Sequence, residues 1–280
     1  MKIELFPNQR KDPNFKITKR LISLLSEYDS ELYLPSSCAG ISENVKYELC
    51  KKPDLTIVLG GDGSIMRAAH RCAILNVPIL SINLGKVGYI AEVEPDELEL
   101  VRKYFTKEYK IEKRMLLSVS AMRGNSQICK PLIALNDAVI SHGKVSKIVE
   151  TEVYCGGAYV GHYRSDGFIV STPTGSTAYS LSAGGPVIDP LLRGICLVPI
   201  CPHSLTAKPM VVSDRTPIEI VFCAGGYKAY LTVDGQEAAE LAPNDKVRIT
   251  TSNLTADLVR ITRDKSRSFY ETLKDKMSAV

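Results

Sequence analysis

The stretch Leu59-Gly60-Gly61-Asp62-Gly63-Ser64 decides how the first part of this 280-residue chain folds. It follows the apolar run Leu55–Leu59, typical of a buried strand, and precedes Ile65–Leu75, whose apolar spacing is helical. Glycine lets the backbone approach a ligand closely, and a helix N-terminus presents unpaired N–H groups to an anion. A carboxylate is costly to hold beside phosphates, so we expect Asp62 to have a chemical task. The task that this setting favours is accepting a proton from a hydroxyl that attacks a phosphate.

Strand and helix patterns alternate through the first hundred residues. Apolar runs predict strands at 3–6, 32–34, 55–59 and 78–82, and helical spacing predicts helices at 15–28, 65–75 and 95–104. This alternation is typical of a parallel sheet with helices on its faces. In such sheets ligands bind at the carboxyl ends of the strands, which is where the Gly60–Ser64 turn lies.

From about residue 110 short β-rich runs follow one another, separated by turn signals such as Gly156-Gly157 and Asp234-Gly235. We therefore expect an α/β domain over residues 1–105 and a mostly antiparallel, all-β domain over residues 106–264. The polar tail 265–280 has a helical pattern, and we expect it to pack back on the first domain. No long linker separates the domains, so we expect a cleft between them.

Composition excludes several classes of function. A net charge of +4, from 35 basic and 31 acidic residues, is small for a protein that binds nucleic acid. No apolar run approaches the ~18 residues that span a membrane, and residues 1–10 lack the apolar core of a signal peptide. The eight cysteines form no C-x-x-C pair, which favours reduced thiols in a cytoplasmic protein over disulfides or a metal framework.

A second informative block, Asp166–Pro186, is dense in small hydroxylic residues and glycine. Hydroxyl groups and free backbone amides suit the oxygen atoms of phosphate and ribose. A shorter run of this kind would be an ordinary loop between strands, but a run of this length after an apolar strand favours a binding segment.

With these motifs in view, the chain resembles the NAD kinase family of the bacterial type. The resemblance rests on Gly60–Ser64, Asn136-Asp137, Asp166–Ser180 and Asp234-Gly235-Gln236, in the family's order and approximate spacing. It extends from about residue 54 to 250. The long second block is highly specific, whereas the glycine-rich aspartate turn by itself is shared with diacylglycerol-type lipid kinases.

The resemblance implies ATP-dependent phosphorylation of the 2′-hydroxyl on the adenosine ribose of NAD. It also implies a Rossmann-like N-terminal domain and a β-sandwich-like C-terminal domain, with the dinucleotide in the cleft between them, and a homodimer or homotetramer. A divalent ion, Mg²⁺, is expected to be held mainly by the substrate phosphates, so no residue is assigned as a metal ligand.

Carried onto this sequence, the resemblance makes Asp62 the general base. Asn136 and Asp137 are expected to hold a ribose or the nicotinamide portion of NAD. The family often has Glu where this chain has Asp137, which is one methylene shorter. Tyr89 either stacks on an adenine or packs in the core, and Asp234 is either a plain hairpin residue or part of the site. The full set expected to bind substrate is Gly63, Arg67, Tyr89, Asn136, Asp137, Lys147, Arg164, Asp166, Thr177, Ala178, Tyr179, Ser180, Leu181, Ser182 and Gln236.

Two other functions compete with this interpretation. A diacylglycerol-type lipid kinase could use the same aspartate turn, but it needs an apolar acceptor pocket, which the polar run Thr172–Ser182 argues against. A non-catalytic dinucleotide sensor would keep Asn136, Asp137 and Thr177–Ser182 without needing Asp62. An intact Asp62 between glycines favours catalysis.

Overall fold

The computed structural model describes residues 1–85, 88–142, 148–224, 228–262 and 268–278. Its contacts divide the chain into two units, the first formed by 1–113 and 256–280, and the second by 114–255. The sequence pattern suggested divisions at 105 and 264 instead. The boundaries seen here fall inside the two longest strands, Tyr109–Arg123 and Lys246–Ile261. Sequence patterns mark the turns between one element and the next. A domain boundary inside a continuous strand has no such turn, so the sequence does not indicate it.

Alternating strands and helices build the first unit. Its strands β1, β3 and β4 pair in parallel, with β2 on the outer side of β1, and the end of the long strand that returns to this unit joins β4. Every residue of β3 and β4 is buried, as in a parallel sheet covered on both faces. The α/β, Rossmann-like prediction is confirmed. The elements are β1 (Lys2–Pro7), α1 (Lys16–Leu25), β2 (Glu31–Tyr33), β3 (Leu55–Gly60), α2 (Asp62–Leu75), β4 (Ile79–Asn83) and α3 (Arg102–Phe105).

Two helix boundaries differ from the pattern-based expectation. Helix α2 begins at Asp62 rather than Ile65, because the glycine turn ends at Gly61 and the next three residues already form helical backbone. The helix expected over 95–104 is a 3₁₀ turn at Leu98–Val101 followed by the short α3. In the segment before it, the Glu97 N–H donates to the carbonyl of Glu94 at 3.0 Å, which closes a turn where a first helical turn was expected.

The second unit is a β-sandwich-like domain, as predicted. One six-stranded antiparallel sheet has the order β12-β11-β10-β7-β14-β15, and a further antiparallel group pairs β8 with both β9 and β13. Phe168 and Leu231 from the six-stranded sheet share one apolar core with Val153 and Ile220 from the other group. The elements are β5 (Tyr109–Arg123), β6 (Ser126–Ala134), β7 (Asp137–His142), β8 (Val149–Cys155), β9 (Ala158–Ser165), β10 (Gly167–Ser171), α4 (Tyr179–Ser182), β11 (Gly194–Ile200), β12 (Met210–Ser213), β13 (Ile218–Ala224), β14 (Ala229–Val233), β15 (Gln236–Leu241) and β16 (Lys246–Ile261).

The last helix, α5 (Phe269–Ser278), belongs to the first unit. All eight cysteines are free thiols. Within the described ranges, no helix combines the length and the apolar character needed to cross a bilayer.

Candidate active site

The predicted catalytic residue lies at the N-terminus of α2. Strand β3 leads into Gly61, which precedes the helix with φ of −105° and ψ of −173°, so that Asp62 is the first helical residue. The Asp62 carboxylate accepts two backbone hydrogen bonds, from the N–H of Tyr89 at 2.9 Å and from the N–H of Ile90 at 3.3 Å. Each oxygen keeps a further lone pair. The carboxylate is therefore held in one orientation and can still accept a proton.

Gly88 lies directly against this carboxylate. A Cβ built on Gly88 would be 2.1 Å from Oδ1 of Asp62 and 2.7 Å from its Cγ. Ordinary side chains therefore do not fit at position 88 unless Asp62 moves, and the glycine is part of what positions the carboxylate.

The ring of Tyr89 packs against helix α5. Its centroid is 5.8 Å from that of Phe269, and Lys276 Nζ is 4.3 Å from the Tyr89 centroid. Burial, followed by the nearby Asp62 charge, raises the pKa of the Tyr89 hydroxyl. The backbone of Tyr89 thus serves Asp62, and its ring makes packing contacts in this structure.

Gly63 and Arg67 are exposed on the first turns of α2. A Cβ on Gly63 would meet no atom within 4 Å, so the space above this residue is open. Arg67 lines a cavity of about 260 Å³ whose other walls are Phe6, Pro7, Asn8, Ser64, Ala68 and Arg71.

The Asp234 carboxylate is buried and holds the backbone of the second unit's candidate site. The sequence left open whether this residue is a plain hairpin residue or part of the site. Asp234, in the turn between β14 and β15, accepts the N–H groups of Leu135 and Asn136 at 2.8 Å each and that of Asp137 at 3.1 Å. Its own N–H donates to the carbonyl of Asp137 at 2.9 Å. Asp234 is therefore a positioning residue for the backbone of Asn136 and Asp137. A backbone φ of +48° suits the turn that brings it there.

The hydroxyl-rich block packs onto the same backbone. A Cβ on Gly175 would lie 2.2 Å from the carbonyl oxygen of Asn136, so only glycine fits there. Thr172 Oγ1 donates to the carbonyl of Leu135 at 2.5 Å and accepts the N–H of Gly175 at 3.0 Å. Ser176 Oγ donates to a main-chain carbonyl at 2.6 Å. These buried hydroxyls are used inside the protein and hold the block's shape.

The segment Thr177–Ser182, directly after these buried hydroxyl residues, is more accessible to solvent. Thr177 and Ala178 are half-buried, Ser180 is buried, and the remaining members of the segment Thr177–Ser182 are exposed. Gln236 is exposed at the start of β15, beside the Asp234 turn. Through Gly175 and Asp234, the backbone of Asn136 thus contacts the chain that leads into this segment and the turn that precedes Gln236.

Two further candidates lie at the other end of β10. In the ladder between β7 and β10, Asp137 pairs with Ser171 and Ser141 pairs with Gly167. Asp166 precedes Gly167 and is five residues from Ser171, so it lies about 17 Å along the strand from Asp137 at ~3.4 Å per residue. Arg164 donates from Nε to Glu150 Oε1 at 3.1 Å. Lys147 lies outside the described residues.

The Asp137 carboxyl group has an unusual environment. Burial, followed by the nearby Asp234 carboxylate, raises its pKa to about 7. The unfolded chain releases this proton near the ordinary pKa of 3.8, while the folded chain keeps it until about pH 7. The free energy of unfolding should therefore fall as pH rises through this window and level off above it.

We expect Asp137→Asn, which cannot ionise, to escape this loss. Relative to the parent chain, the variant should be stabilised increasingly between about pH 4 and about pH 7, with a difference on the order of 4 kcal/mol at ~1.4 kcal/mol per pKa unit. Urea unfolding of both chains across this range measures the difference. A constant difference at all pH values would contradict the assignment.

Comparison with known proteins agrees with this arrangement of motifs. Residues 7–109 match the model of the ATP-NAD kinase N-terminal domain, and residues 135–261 match that of the ATP-NAD kinase C-terminal domain. The chain belongs to the ATP-NAD kinase family. The Asp62 turn lies in the first matched region, and Asn136, the hydroxyl-rich block and Asp234 lie in the second.

Individual relatives extend over nearly the whole chain. An NAD kinase from Natranaerobius thermophilus is 38% identical over 99% of this chain and 97% of its own length. One from Thermoanaerobacter sp. (strain X514) is 37% identical over 99% of both. Neither the matched family nor these relatives support the lipid-kinase or sensor alternatives.

Solved structures share the fold. An NAD kinase from Archaeoglobus fulgidus in complex with ATP has a TM-score of 0.74 and 27% identity, and covers 100% of both chains. A yeast NADH kinase complexed with NADH has a TM-score of 0.87, covering 99% of this chain and 87% of its own. At 22% identity this second likeness bears on the fold alone.

Proposed function

We propose that this protein transfers the γ-phosphoryl group of ATP to the 2′-hydroxyl on the adenosine ribose of NAD, giving NADP and ADP. Family membership supports the reaction, since the relatives are named NAD kinases. The observation that carries the chemistry is the Asp62 carboxylate, fixed by two backbone N–H groups at the start of α2.

Asp62 acts as the general base in this proposal. As the 2′-oxygen forms its bond to the γ-phosphorus, the hydroxyl proton passes to Asp62, and the bond from the γ-phosphorus to the β–γ bridging oxygen breaks to release ADP. Phosphoryl transfer depends mainly on positioning and on charge stabilisation. The contacts with Gly88, Tyr89 and Ile90 supply the positioning of the base.

We infer that a magnesium ion arrives with the substrate and is held mainly by the substrate phosphates. No three His, Cys, Asp or Glu side chains of the described part of the chain are grouped so that they could hold an ion. Mg²⁺ prefers oxygen ligands and commonly binds through one or two carboxylates together with substrate phosphates. When bound with ATP, the ion would neutralise phosphate charge.

We assign dinucleotide binding to Asn136, Asp137, the segment Thr177–Ser182 and Gln236. Asp234, two residues before Gln236, accepts the N–H groups of Asn136 and Asp137, and Gly175, two residues before the segment, lies against the Asn136 carbonyl. These contacts support the assignment. Gly63, Arg67 and Tyr89 in the first unit and Lys147, Arg164 and Asp166 in the second complete the proposed set. Exposed amide and hydroxyl groups among them suit the ribose and nicotinamide oxygens.

Assembly and location are also part of the proposal. We infer a homodimer or homotetramer that acts in the cytoplasm. Eight free thiols agree with a reducing compartment. Light scattering of the protein as it elutes from a size-exclusion column measures its molar mass. A monomer at micromolar concentration would contradict the inferred assembly.

The reaction is tested by incubating purified protein with ATP, Mg²⁺ and NAD. NADP is then detected by its reduction with an NADP-specific dehydrogenase. We expect NADP to accumulate only when ATP and NAD are both present. An absence of NADP from folded protein would contradict the proposed function.

A further inference from the structure

The segment that orients Asp62 belongs to no helix or strand. Residues 88–92 follow an irregular path, yet the N–H groups of Tyr89 and Ile90 both point at the Asp62 carboxylate. Hydrogen bonds of a regular element do not fix these two amides, so other contacts must hold them in place. The ring of Tyr89 has such contacts with α5, whereas those of Ile90 come from the end of β16.

Arg260 of β16 fixes the segment at Ile90. Its Nη1 donates to the Ile90 carbonyl at 2.9 Å and to Oε2 of Glu92 at 3.0 Å. Its Nη2 donates to Oε1 of Glu112 at 2.9 Å. The next residue, Ile261, donates its N–H to the other Glu92 oxygen at 3.0 Å. The end of β16 therefore holds the segment at two points, one of which is the residue whose N–H faces Asp62.

The Arg260 guanidinium is suited to this task by its charge and by its shape. It is mostly buried and pairs with two carboxylates, those of Glu92 and Glu112. Burial opposes its charge, but Glu112 and Glu92 outweigh burial and raise its pKa, so the charge is kept. The planar guanidinium presents its N–H groups in a fixed fork, whereas the ammonium of lysine is a flexible point charge. A lysine at position 260 therefore cannot reproduce all three contacts.

Ion pairing alone does not account for this arrangement. The cost of removing two charges from water can exceed their mutual attraction, so a buried ion pair is weak evidence of stabilisation. The contact that goes beyond ion pairing is the hydrogen bond to the Ile90 carbonyl. This contact links Arg260 to the proposed base through a single residue.

We propose that Arg260 is a positioning residue for the general base. Its guanidinium holds Ile90, and the Ile90 N–H orients the Asp62 carboxylate, so Arg260 acts on Asp62 through Ile90. The proposal rests on the proposed function, since it assumes that Asp62 is the base of that reaction. Because the Tyr89 N–H remains as a second donor, loss of Arg260 should loosen the carboxylate rather than release it.

Steady-state kinetics of two variants test this role. Arg260→Lys keeps the charge without the fork, and Arg260→Met removes both. We expect kcat to fall about 10-fold in Arg260→Lys and further in Arg260→Met, within the ~10²-fold that misplacement of a catalytic group by about 1 Å can cost. The KM values for ATP and NAD should change less than about twofold, because the lost interaction acts on the chemical step alone.

Arg123→Lys and Arg123→Met are the matched controls. Arg123 of the second unit also donates to a buried carboxylate, that of Asp245, at 3.0 and 2.8 Å. Like Arg260, it donates to a main-chain carbonyl as well, that of Glu240 at 3.4 Å. Its substitutions should lower the temperature of thermal unfolding without changing kcat.

A double-mutant cycle with Asp62 separates positioning of the base from general damage to the fold. In an Asp62→Asn background there is no base left to position, so Arg260→Lys should change the residual kcat less than about twofold. An equal fractional loss of kcat in both backgrounds would overturn the role of Arg260.

Amide exchange at Ile90, followed by NMR, tests the contact without turnover. We expect this exchange to be about 10-fold faster in Arg260→Lys, because local opening of the segment becomes easier. Parental kcat or parental exchange in the folded Arg260 variants would contradict the proposal. Failure of the proposed function is distinguishable, because it would appear as absent NADP formation by the parent chain even where exchange at Ile90 quickens in the variant.

Discussion

Replacing Asp62 by Asn is expected to lower kcat by about 10²–10⁴-fold while the affinity for NAD changes little. The amide keeps the size of the side chain but cannot take the proton of the attacking hydroxyl. In the parent chain the N–H groups of Tyr89 and Ile90 donate to the two carboxylate oxygens. In the variant an NH₂ group replaces one of these oxygens, so one backbone donor faces another donor. The expected change is therefore in turnover together with a small loss of stability.

Initial rates of NADP formation, with NAD affinity from calorimetry, measure this effect. Asp96→Asn is the matched control, because Asp96 is an exposed aspartate of the same unit outside the site. It should retain the parent kcat. Near-parental turnover by Asp62→Asn, with the substitution verified by mass, would remove Asp62 from the role of base.

Replacing Gly88 by Ala is expected to lower kcat about 100-fold without altering any charge. The new methyl group would lie 2.1 Å from Oδ1 of Asp62, so the carboxylate must swing away. The crowded atoms are the far end of a side chain, and stability should therefore change little. Misplacement of a catalytic group by about 1 Å can cost about 10²-fold in rate.

Kinetics and thermal unfolding of Gly88→Ala should be measured together. Gly161→Ala is a suitable control, since the three atoms nearest to its Cβ would all belong to Tyr163, at 3.4 Å or more. A slow but fully folded Gly88→Ala supports the positioning of Asp62. A variant as fast as the parent would show that the carboxylate can move without penalty.

Local sequence patterns predicted the position of Asp62 because everything that places it is local. An apolar strand, a glycine turn and a helix follow one another along the chain, and the parallel sheet fixes which end of the strand the turn occupies. The backbone N–H groups that orient the carboxylate belong to Tyr89 and Ile90, 27 and 28 residues further along the chain. Sequence periodicity does not predict contacts of this kind.

The role of Asp234 could not be predicted for the same reason. Asp-Gly at a hairpin is an ordinary turn signal, and the three N–H groups that Asp234 accepts lie 97 to 99 residues away. What makes it special is burial, which only the packing of β7 against β14 creates. A buried aspartate in a turn needs several donors, so the contact becomes evident once the fold is known.

The hydroxyl-rich block shows the opposite limit of sequence reasoning. Its composition indicated binding to ribose and phosphate, yet the hydroxyl groups of Thr172 and Ser176 donate hydrogen bonds to main-chain carbonyls of the protein. Composition alone cannot separate hydroxyls that shape a segment from those that it exposes. Within Thr177–Ser182, the exposed residues Tyr179, Leu181 and Ser182 and the half-buried Thr177 and Ala178 are the part left for a ligand.

Transfer of labelled phosphate from γ-labelled ATP to a set of acceptors tests the central claim most directly. The acceptors are NAD, its analogue with 2′-deoxyadenosine, and diacylglycerol, each with Mg²⁺ and the purified parent chain. We predict label on NAD alone, with the deoxy analogue competing as an unlabelled ligand because it lacks only the reacting hydroxyl. Label on the deoxy analogue, or on the lipid with none on NAD, would contradict the account.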